Sequence, residues 1–368
     1  MPMSDFSEND CAHMARALRL AERGQYSAHP NPMVGCVLVR DDAIVGEGWH
    51  EMAGEAHAEI NALEAAGDDA RGATAYVTLE PCAHHGKTPP CVDALIGAGV
   101  SDVVVALEDP FQQVGGRGLA ALKNAGIRVR VGLMQSSAEQ LLAGFLSRVT
   151  RKRPFVRLKM ASSLDGGIAM SNGESQWITG PEARADGQRL RARVGAVMTG
   201  IGTILADDPS LTVRDAAIDT RGKQPLRAIL DNGLRMPLSA EMLALPGKTL
   251  VYCIDDEKRE ALVAAGAEVI KVDASAGMVD VSAVLGDLAG REVNDVLVEA
   301  GPTLAGSLIN AGLVDELVIY QAPHIMGSET MSMFDTPGWT ELANRKSLDI
   351  RDVRRVGADT RITARITD

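Results

Sequence analysis

An α/β fold in two domains is what this 368-residue chain predicts. Three observations carry the reading. The length exceeds one ordinary domain and suits two. Short apolar runs alternate with helical stretches along both halves, the pattern of sheets flanked by helices. The alternation breaks at Arg151-Lys152-Arg153-Pro154, where proline interrupts a helix and a strand-like run follows at once. The expected domains are therefore residues 1–150 and 154–368.

The first half opens on a helix over Glu8–Arg23. Ser7 and Asp10 have the spacing of a capping box, and Gly24 is a natural stop. Cys11, Met14, Leu18 and Ala21 recur at helical spacing, which places Cys11 in the core. Val34–Val39 and Ala43–Gly48 predict a hairpin around Asp41-Asp42. Ala75–Leu79, Val103–Leu107 and Ile127–Val131 read as strands, with Gly99 and Gly126 ending the helices between them. One helix starts near His57 and ends about Ala66. A second follows Pro90, a favoured first-turn residue, and a third runs from Ser136 to about Thr150. In the second half, Phe155–Met160, Ala196–Thr199, Arg227–Leu230, Leu250–Ile254, Glu268–Val272 and Val296–Glu299 read as strands. Glu316–Gln321 and Arg361–Ile366 read as further, antiparallel ones. The basic triplet 151–153 is either a solvated linker or a phosphate site.

Hydrophobic residues make up 46% of the chain and aromatics only 3%, so two cores must be built mostly from Ala, Val, Leu, Ile and Met. The formal net charge of −12 disfavours nucleic acid, whose affinity comes mainly from phosphate neutralisation. It points to a small-molecule substrate. Five cysteines at irregular spacing are no disulfide framework. The polar N-terminus carries no secretory pattern and no apolar run spans a membrane, so a cytoplasmic protein is expected, with no membrane partner.

The chemistry concentrates in His57-Ala58-Glu59 and in Pro81-Cys82 followed by Cys91. One imidazole and two thiolates give Zn2+ three protein ligands, and a catalytic zinc keeps a fourth position for water. Glu59 is then a proton shuttle. This is the arrangement of zinc deaminases, in which water attacks an amino-bearing ring carbon and a carboxylate passes its proton to departing ammonia. The usual short form has two residues between the cysteines; here there are eight. The residues alone also allow a structural zinc, with His84 or His85 as fourth ligand, or a disulfide. Helix starts at His57 and Cys91 would turn partial positive charge toward the metal.

The second half lacks a Rossmann fingerprint, since Gly200-Ile201-Gly202 has no third glycine at the right offset. Glu299-Ala300-Gly301-Pro302-Thr303-Leu304-Ala305-Gly306-Ser307 ends a strand and opens a helix. Its free amides suit a phosphate, or the segment is a plain strand–helix turn. Arg184, Arg189, Arg191 and Arg193 share a helix and read as a charged solvent face; Trp177 reads equally as a core residue.

The wider segments decide between these readings. Tyr76-Val77-Thr78-Leu79-Glu80-Pro81-Cys82, with His84-His85-Gly86-Lys87-Thr88-Pro89-Pro90-Cys91, resembles the bifunctional deaminase–reductases of riboflavin biosynthesis. Lys159-Met160-Ala161-Ser162-Ser163-Leu164-Asp165-Gly166, Gly173-Glu174-Ser175-Gln176-Trp177-Ile178-Thr179, Leu205-Ala206-Asp207-Asp208-Pro209 and the 299–306 segment resemble the reductase half of the same family. The resemblance covers nearly the whole chain, in the family's order. It implies a cytidine-deaminase-like α/β/α domain followed by a dihydrofolate-reductase-like α/β domain. It implies zinc on His57, Cys82 and Cys91, with Glu59 catalytic, and 2,5-diamino-6-ribosylamino-4(3H)-pyrimidinone 5′-phosphate as substrate. It implies NADPH as reductant, its pyrophosphate cradled by Gly301 to Ser307, with Ala161, Trp177, Thr203, Asp207 and Asn232 near the cofactor. Ser175, Arg191 and Arg214 would hold the substrate phosphate, and Leu211 and Glu299 lie on the substrate side. Asn31, His50, His84 and Lys87 are candidates for substrate contacts in the first site. One departure stands out: Phe111-Gln112 replaces the Asn-Pro that commonly follows Asp109-Pro110 in the family, which removes a hydrogen-bond donor. A homo-oligomer is expected, of an order the sequence does not set.

Overall fold

The computed structural model describes residues 6–83, 90–111 and 115–367. The chain divides into two compact units, Met1–Lys152 and Arg153–Asp368.

In the first unit the capping box forms as spaced: Ser7 Oγ accepts the Asp10 N–H and Asp10 accepts the Ser7 N–H. It opens α1 (Glu8–Ala21). Four further helices, α2 (Ala58–Ala66), α3 (Cys91–Ala98), α4 (Arg117–Asn124) and α5 (Gln135–Leu141), pack on a sheet. The sheet holds β1 (Gly35–Arg40), β2 (Ala43–Trp49), β3 (Thr74–Val77), β4 (Asp102–Val105) and β5 (Arg128–Val131), in the order β2-β1-β3-β4-β5. β1 runs antiparallel to β2 and β3; β3, β4 and β5 are parallel. α2, α3 and α4 cover one face through Ala58, Ala62, Val92, Leu95 and Leu122. α1 and α5 cover the other through Met14, Leu18 and Ala138. The layers approach closely because small residues meet. A Cβ on Gly48 would stand 2.4 Å from the Ala58 carbonyl oxygen, and one on Gly35 would stand 2.0 Å from that of Ala17. This is the α/β/α sandwich that the alternation predicts.

Three expectations need correction here. Cys11 is exposed, not core. The buried stripe of α1 is Asp10, Met14, Ala17, Leu18 and Ala21, one residue away, because Asp10 finds Tyr76 and Arg130 inside. The helix expected from Ser136 to Thr150 is two, α5 and α6 (Ala143–Arg151), parted at buried Leu142. Pro90 is the N-cap of α3 and Cys91 its first residue, so proline stands one position earlier than expected.

The second unit is built on a nine-stranded sheet. Its elements are β6 (Phe155–Ser162), β7 (Gly167–Ala169), α7 (Pro181–Ala192), β8 (Ala196–Gly200), α8 (Ile201–Asp207), β9 (Leu226–Leu230), α9 (Glu241–Ala244) and β10 (Thr249–Cys253). Then come α10 (Arg259–Ala264), β11 (Ala267–Lys271), β12 (Ala274–Ser275), β13 (Met278–Val279), α11 (Val281–Gly290), β14 (Asp295–Val298) and α12 (Pro302–Asn310). The chain closes with β15 (Glu316–Gln321), β16 (Met331–Ser332), β17 (Ser347–Val356) and β18 (Asp359–Thr367). The strand order is β11-β10-β9-β8-β14-β6-β15-β18-β17. The strands from β11 to β15 are parallel, and β18 and β17 add antiparallel edges. Both faces carry a core, one around Leu158, Met198 and Val298 and the other around Val197, Leu297 and Tyr320. Ligands of open parallel sheets bind beyond the carboxyl ends of the strands, and that is where the Glu299 segment and the end of β6 lie. Arg153 of the basic triplet pairs bidentately with Asp315, at 2.7 and 2.9 Å, and is no free phosphate site.

Among the described residues no helix is long and apolar enough to cross a membrane.

Candidate active sites

In the first unit His57 is the N-cap of α2 and Cys91 the first residue of α3, so two helix starts frame one point. Cys82 arrives from the loop after β3. The Nδ1 of His57 lies 3.3 Å from Cys91 Sγ and 3.6 Å from Cys82 Sγ. Zinc bonds of the usual lengths at tetrahedral angles would set such edges at roughly 3.6 Å. The donor set of one imidazole and two thiols therefore fits zinc in chemistry and spacing. Among the described residues no fourth His, Cys, Asp or Glu joins the group. His84, Lys87 and the alternative ligand His85 lie outside the described residues, as does Gln112. Cys36 and Cys253 are buried core residues.

The electrostatics are those of a site prepared for a cation. The Cys91 thiol beside it, the His57 ring and the Cys91 backbone N–H, 3.3 Å away, hold the Cys82 thiol well below its ordinary range against burial. In return the Cys91 thiol is pushed up, and contact with the Cys82 sulfur makes His57 more basic. Without metal, one proton thus stays on the thiol pair. Zinc binding at neutral pH should release protons from the thiol pair and from His57, and zinc affinity should rise with pH. Zinc titrations in two buffers of different ionisation enthalpy measure this; no proton release would show both sulfurs already ionised.

Glu59 sits in the first turn of α2 and is 3% exposed. Burial pushes its carboxyl up to about 7, helped by the Cys82 charge and opposed by His57. A bound cation would oppose the shift further. His50 is buried beside the cluster, its ring edge-on to that of His57 at 5.4 Å. Its Nδ1 lies 3.1 Å from the Ala56 carbonyl oxygen, an acceptor only, so Nδ1 carries the proton. Its Nε2 then accepts from Asn31 Nδ2 at 3.1 Å. The structure so brings His50 and Asn31 to the three ligands. Phe111 is 38% exposed, and its N–H donates to Asp109 Oδ1 at 2.9 Å.

In the second unit Lys159, Arg191 and Glu299 form a largely buried cluster. Arg191 donates to both Glu299 oxygens, at 2.5 and 3.1 Å, and to the Thr212 carbonyl at 3.2 Å. Lys159 Nζ lies 3.7 Å from Glu299 Oε2. Burial alone would raise the Glu299 carboxyl; Arg191 and Lys159 outweigh it and hold it at about 2. Most of the Arg191 fork is thus committed within the protein, which sequence pattern did not reveal. Arg214 is exposed; its guanidinium bonds Ser210 Oγ and its N–H donates to Gln188 of α7 at 2.9 Å. The two arginines therefore flank one segment, 210–214. Ser175 is half-buried in the loop before α7.

Leu211 is 2% exposed and packs in the core, with a left-handed backbone at φ 47°. Only its backbone can face a ligand. Trp177 is 69% exposed and lies under the Arg184 guanidinium at 4.6 Å, so the core reading fails for it. Ala161 is on β6 and Thr203 on α8; Asp207, at the end of α8, accepts from Gln176 at 3.3 Å. The Asn232 side chain braces β13, accepting the Val279 N–H at 2.9 Å.

The α12 start carries no side-chain cap on Gly301, with Pro302 first in the helix. Gly301, Thr303 and Leu304 are at least partly exposed, and Ser307 is exposed. Ala305 and Gly306 are buried, and a Cβ on Gly306 would stand 1.9 Å from the Asp335 carbonyl oxygen. Gly306 is thus a packing glycine.

Pattern reading left two residues without a role, Lys159 and Glu80. Each carried a signal: Lys159 is a cation inside an apolar central strand, and Glu80 an acid between Leu79 and Pro81.

Comparison with known proteins agrees with this geometry. A family model described as "Cytidine and deoxycytidylate deaminase zinc-binding region" matches residues 7–107, and one described as "RibD C-terminal domain" matches residues 154–362. The riboflavin biosynthesis protein RibD of Escherichia coli K12 is 48% identical, over 94% of this chain and 96% of its own. A solved structure of Acinetobacter baumannii RibD aligns with a TM-score of 0.92 at 44% identity, covering 98% and 99%. A Thermotoga maritima structure, titled a diaminohydroxyphosphoribosylaminopyrimidine deaminase and 5-amino-6-(5-phosphoribosylamino)uracil reductase, aligns at 0.86 and 33% identity, covering 98% and 99%. With a deaminase zinc-binding half, a RibD reductase half and relatives matched end to end, the chain belongs to the RibD family of bifunctional riboflavin-biosynthesis deaminase–reductases.

Proposed function

We propose that residues 1–150 deaminate 2,5-diamino-6-ribosylamino-4(3H)-pyrimidinone 5′-phosphate. Residues 154–368 then reduce the ribosyl chain of the product with NADPH, giving 5-amino-6-ribitylaminouracil 5′-phosphate. The observation that carries the reading is the three-ligand cluster of His57, Cys82 and Cys91 with a buried carboxylate, Glu59, beside it. Zinc held there would bring the pKa of a bound water to roughly 7. Glu59 takes the proton of the attacking water and delivers it to the leaving amine, the work of a general base and then a general acid. Asn31 keeps one N–H and its carbonyl for the ring, while His50 holds its amide in place. His84 and Lys87 remain candidates for the ribose phosphate.

In the reductase, NADPH supplies the hydride. The uncapped amides from Gly301 onward favour its pyrophosphate, and Ala161, Trp177, Thr203, Asp207 and Asn232 line its expected path. Arg214 and Ser175 take the substrate phosphate. Glu299 orients Arg191 and Lys159, and the Leu211 backbone borders the substrate. Lys159 is a candidate to hold the proton that reduction also requires. The net charge of −12 supports a small-molecule substrate over nucleic acid, and we place the enzyme in the cytoplasm as a homo-oligomer.

Metal analysis tests the site. The protein should hold about one zinc per chain, and Cys82→Ser should lose at least roughly tenfold in zinc affinity. Undiminished zinc affinity in both Cys82→Ser and Cys91→Ser would sink the ligand assignment.

A further inference from the structure

Glu80 is a carboxylate 4% exposed, with no arginine, lysine or histidine bonded to it among the described residues. Its partners are four backbone N–H groups. Oε2 accepts from Asp109 at 3.1 Å and Gly116 at 3.0 Å; Oε1 accepts from Gly118 at 2.9 Å and Leu119 at 3.3 Å. Gly118 and Leu119 are the second and third residues of α4, whose N-cap, Gly116, has no side chain to cap it. Glu80 is therefore the cap of α4, supplied from 36 or more residues away. A carboxylate offers about four acceptor positions, and this one uses that number.

What this anchors is the segment carrying Cys82. The Glu80 N–H donates to the Leu107 carbonyl at 2.9 Å. The next carbonyl, of Pro81, rests on Gly118, where a Cβ would stand 2.3 Å from its oxygen. Cys82 follows, its carbonyl accepting the Val92 N–H at 3.3 Å and its sulfur the Cys91 N–H at 3.3 Å. His57 and Cys91 are built into helix starts, whereas Cys82 lies on no helix or strand. Its place is set by what holds residues 80 and 81 on one side and by the two α3 N–H groups on the other.

We infer that Glu80 is a positioning residue for the Cys82 ligand: its carboxylate fixes the loop that presents the sulfur to the metal. The inference rests on the zinc-deaminase reading above. A glutamine at 80 keeps the shape but turns an NH2 toward two backbone N–H donors, so about half the anchor is lost. Partners that orient ligands typically change metal affinity by roughly 10- to 100-fold when removed.

The test uses the full chain and competes zinc against a chromogenic chelator. Glu80→Gln should weaken zinc binding by roughly 10- to 100-fold. Saturating zinc should return deamination to near the parent rate, because Glu59 is untouched. Glu80→Asp should fall between. Gly118→Ala, whose Cβ would stand 2.3 Å from the Pro81 carbonyl oxygen and 3.0 Å from Glu80 Oε1, disturbs the same anchor from the α4 side and should weaken zinc in the same sense. Reduction of the deaminated intermediate should stay at the parent rate in all three. Hydrogen exchange of β3 and β4 reports whether the first unit stays folded. Unchanged zinc affinity in Glu80→Gln and Gly118→Ala overturns the inference. So does zinc loss seen only where β3 and β4 lose protection, which would make Glu80 a fold anchor alone. A parent protein that binds no zinc would instead remove the deaminase reading, and this inference with it.

Discussion

Glu59→Gln should abolish ammonia release while zinc stays bound and the reductase stays active. The amide matches the carboxyl in size but cannot take a proton, and general acid–base catalysis is worth roughly 100- to 10,000-fold. Glu59 is buried, and a neutral amide there costs less desolvation than a charged carboxylate. The residues assigned to reduction all lie beyond Pro154, so reduction of the already deaminated intermediate should be unchanged. Zinc content, ammonia release and NADPH oxidation, measured on one preparation, check the three parts separately. If Glu59→Gln deaminates at the parent rate, the carboxylate is not the shuttle. If it loses zinc as well, its role is partly to hold the metal.

The second large effect is expected at Arg191, and it exceeds that at Arg214 for a structural reason. Arg214 is exposed and bonds a serine hydroxyl, so Arg214→Ala removes one grip on the substrate phosphate. A charge-assisted hydrogen bond is worth roughly 1.5–3 kcal/mol, or about ten- to a hundredfold in substrate binding. Arg191→Ala also strands Glu299, whose other cation, Lys159, stands at 3.7 Å. Breaking a buried pair costs roughly 3–5 kcal/mol. The second unit should lose stability in Arg191→Ala but not in Arg214→Ala, and kcat/KM for reduction should fall further.

The Glu299 carboxyl is depressed to about 2 in the fold, so its stabilising pairing is present above the ordinary carboxylate range, roughly pH 4, and is lost only as pH falls toward 2. Without Arg191 the carboxyl should titrate higher, and the acid limb of the reductase profile should move up. Thermal unfolding and the Michaelis constant across pH test the pair. Equal, small effects at both positions would return Arg191 to a plain phosphate contact.

What was legible in the sequence follows from distance along the chain. The capping box at Ser7 and Asp10, every strand of both sheets but β17, and the helix starts at His57 and Cys91 depend on neighbours within a turn or two. They read off directly, and the two-domain α/β class follows from their order. The misreadings share the opposite property. Cys11 lost its place in the core because Asp10 pairs with Arg130, 120 residues away. Arg191 pairs with Glu299, 108 residues away, a partner that neither the run of arginines on its helix nor its expected phosphate role showed. The sequence did not show that the Leu211 side chain turns into the core, which leaves only its backbone for a substrate. β17 alternates only over Leu348–Arg351 and slips at its bulge between Ile350 and Asp352, and its apolar residues are exposed, so it was not expected as a strand. Glu80 sat inside a motif read for its cysteine, and its partners lie 29 to 39 residues on.

The central claim is that one chain performs a hydrolytic deamination and then a reduction. The most direct measurement incubates the purified protein with 2,5-diamino-6-ribosylamino-4(3H)-pyrimidinone 5′-phosphate, with and without NADPH, and resolves both products. Without NADPH the deaminated ribosylaminouracil phosphate and ammonia should accumulate. With NADPH the ribitylaminouracil phosphate should form instead, with one NADPH consumed per ammonia released. Ribityl product still carrying the second ring amino group would contradict the order, and ammonia release with no NADPH consumption would remove the reductase half of the account.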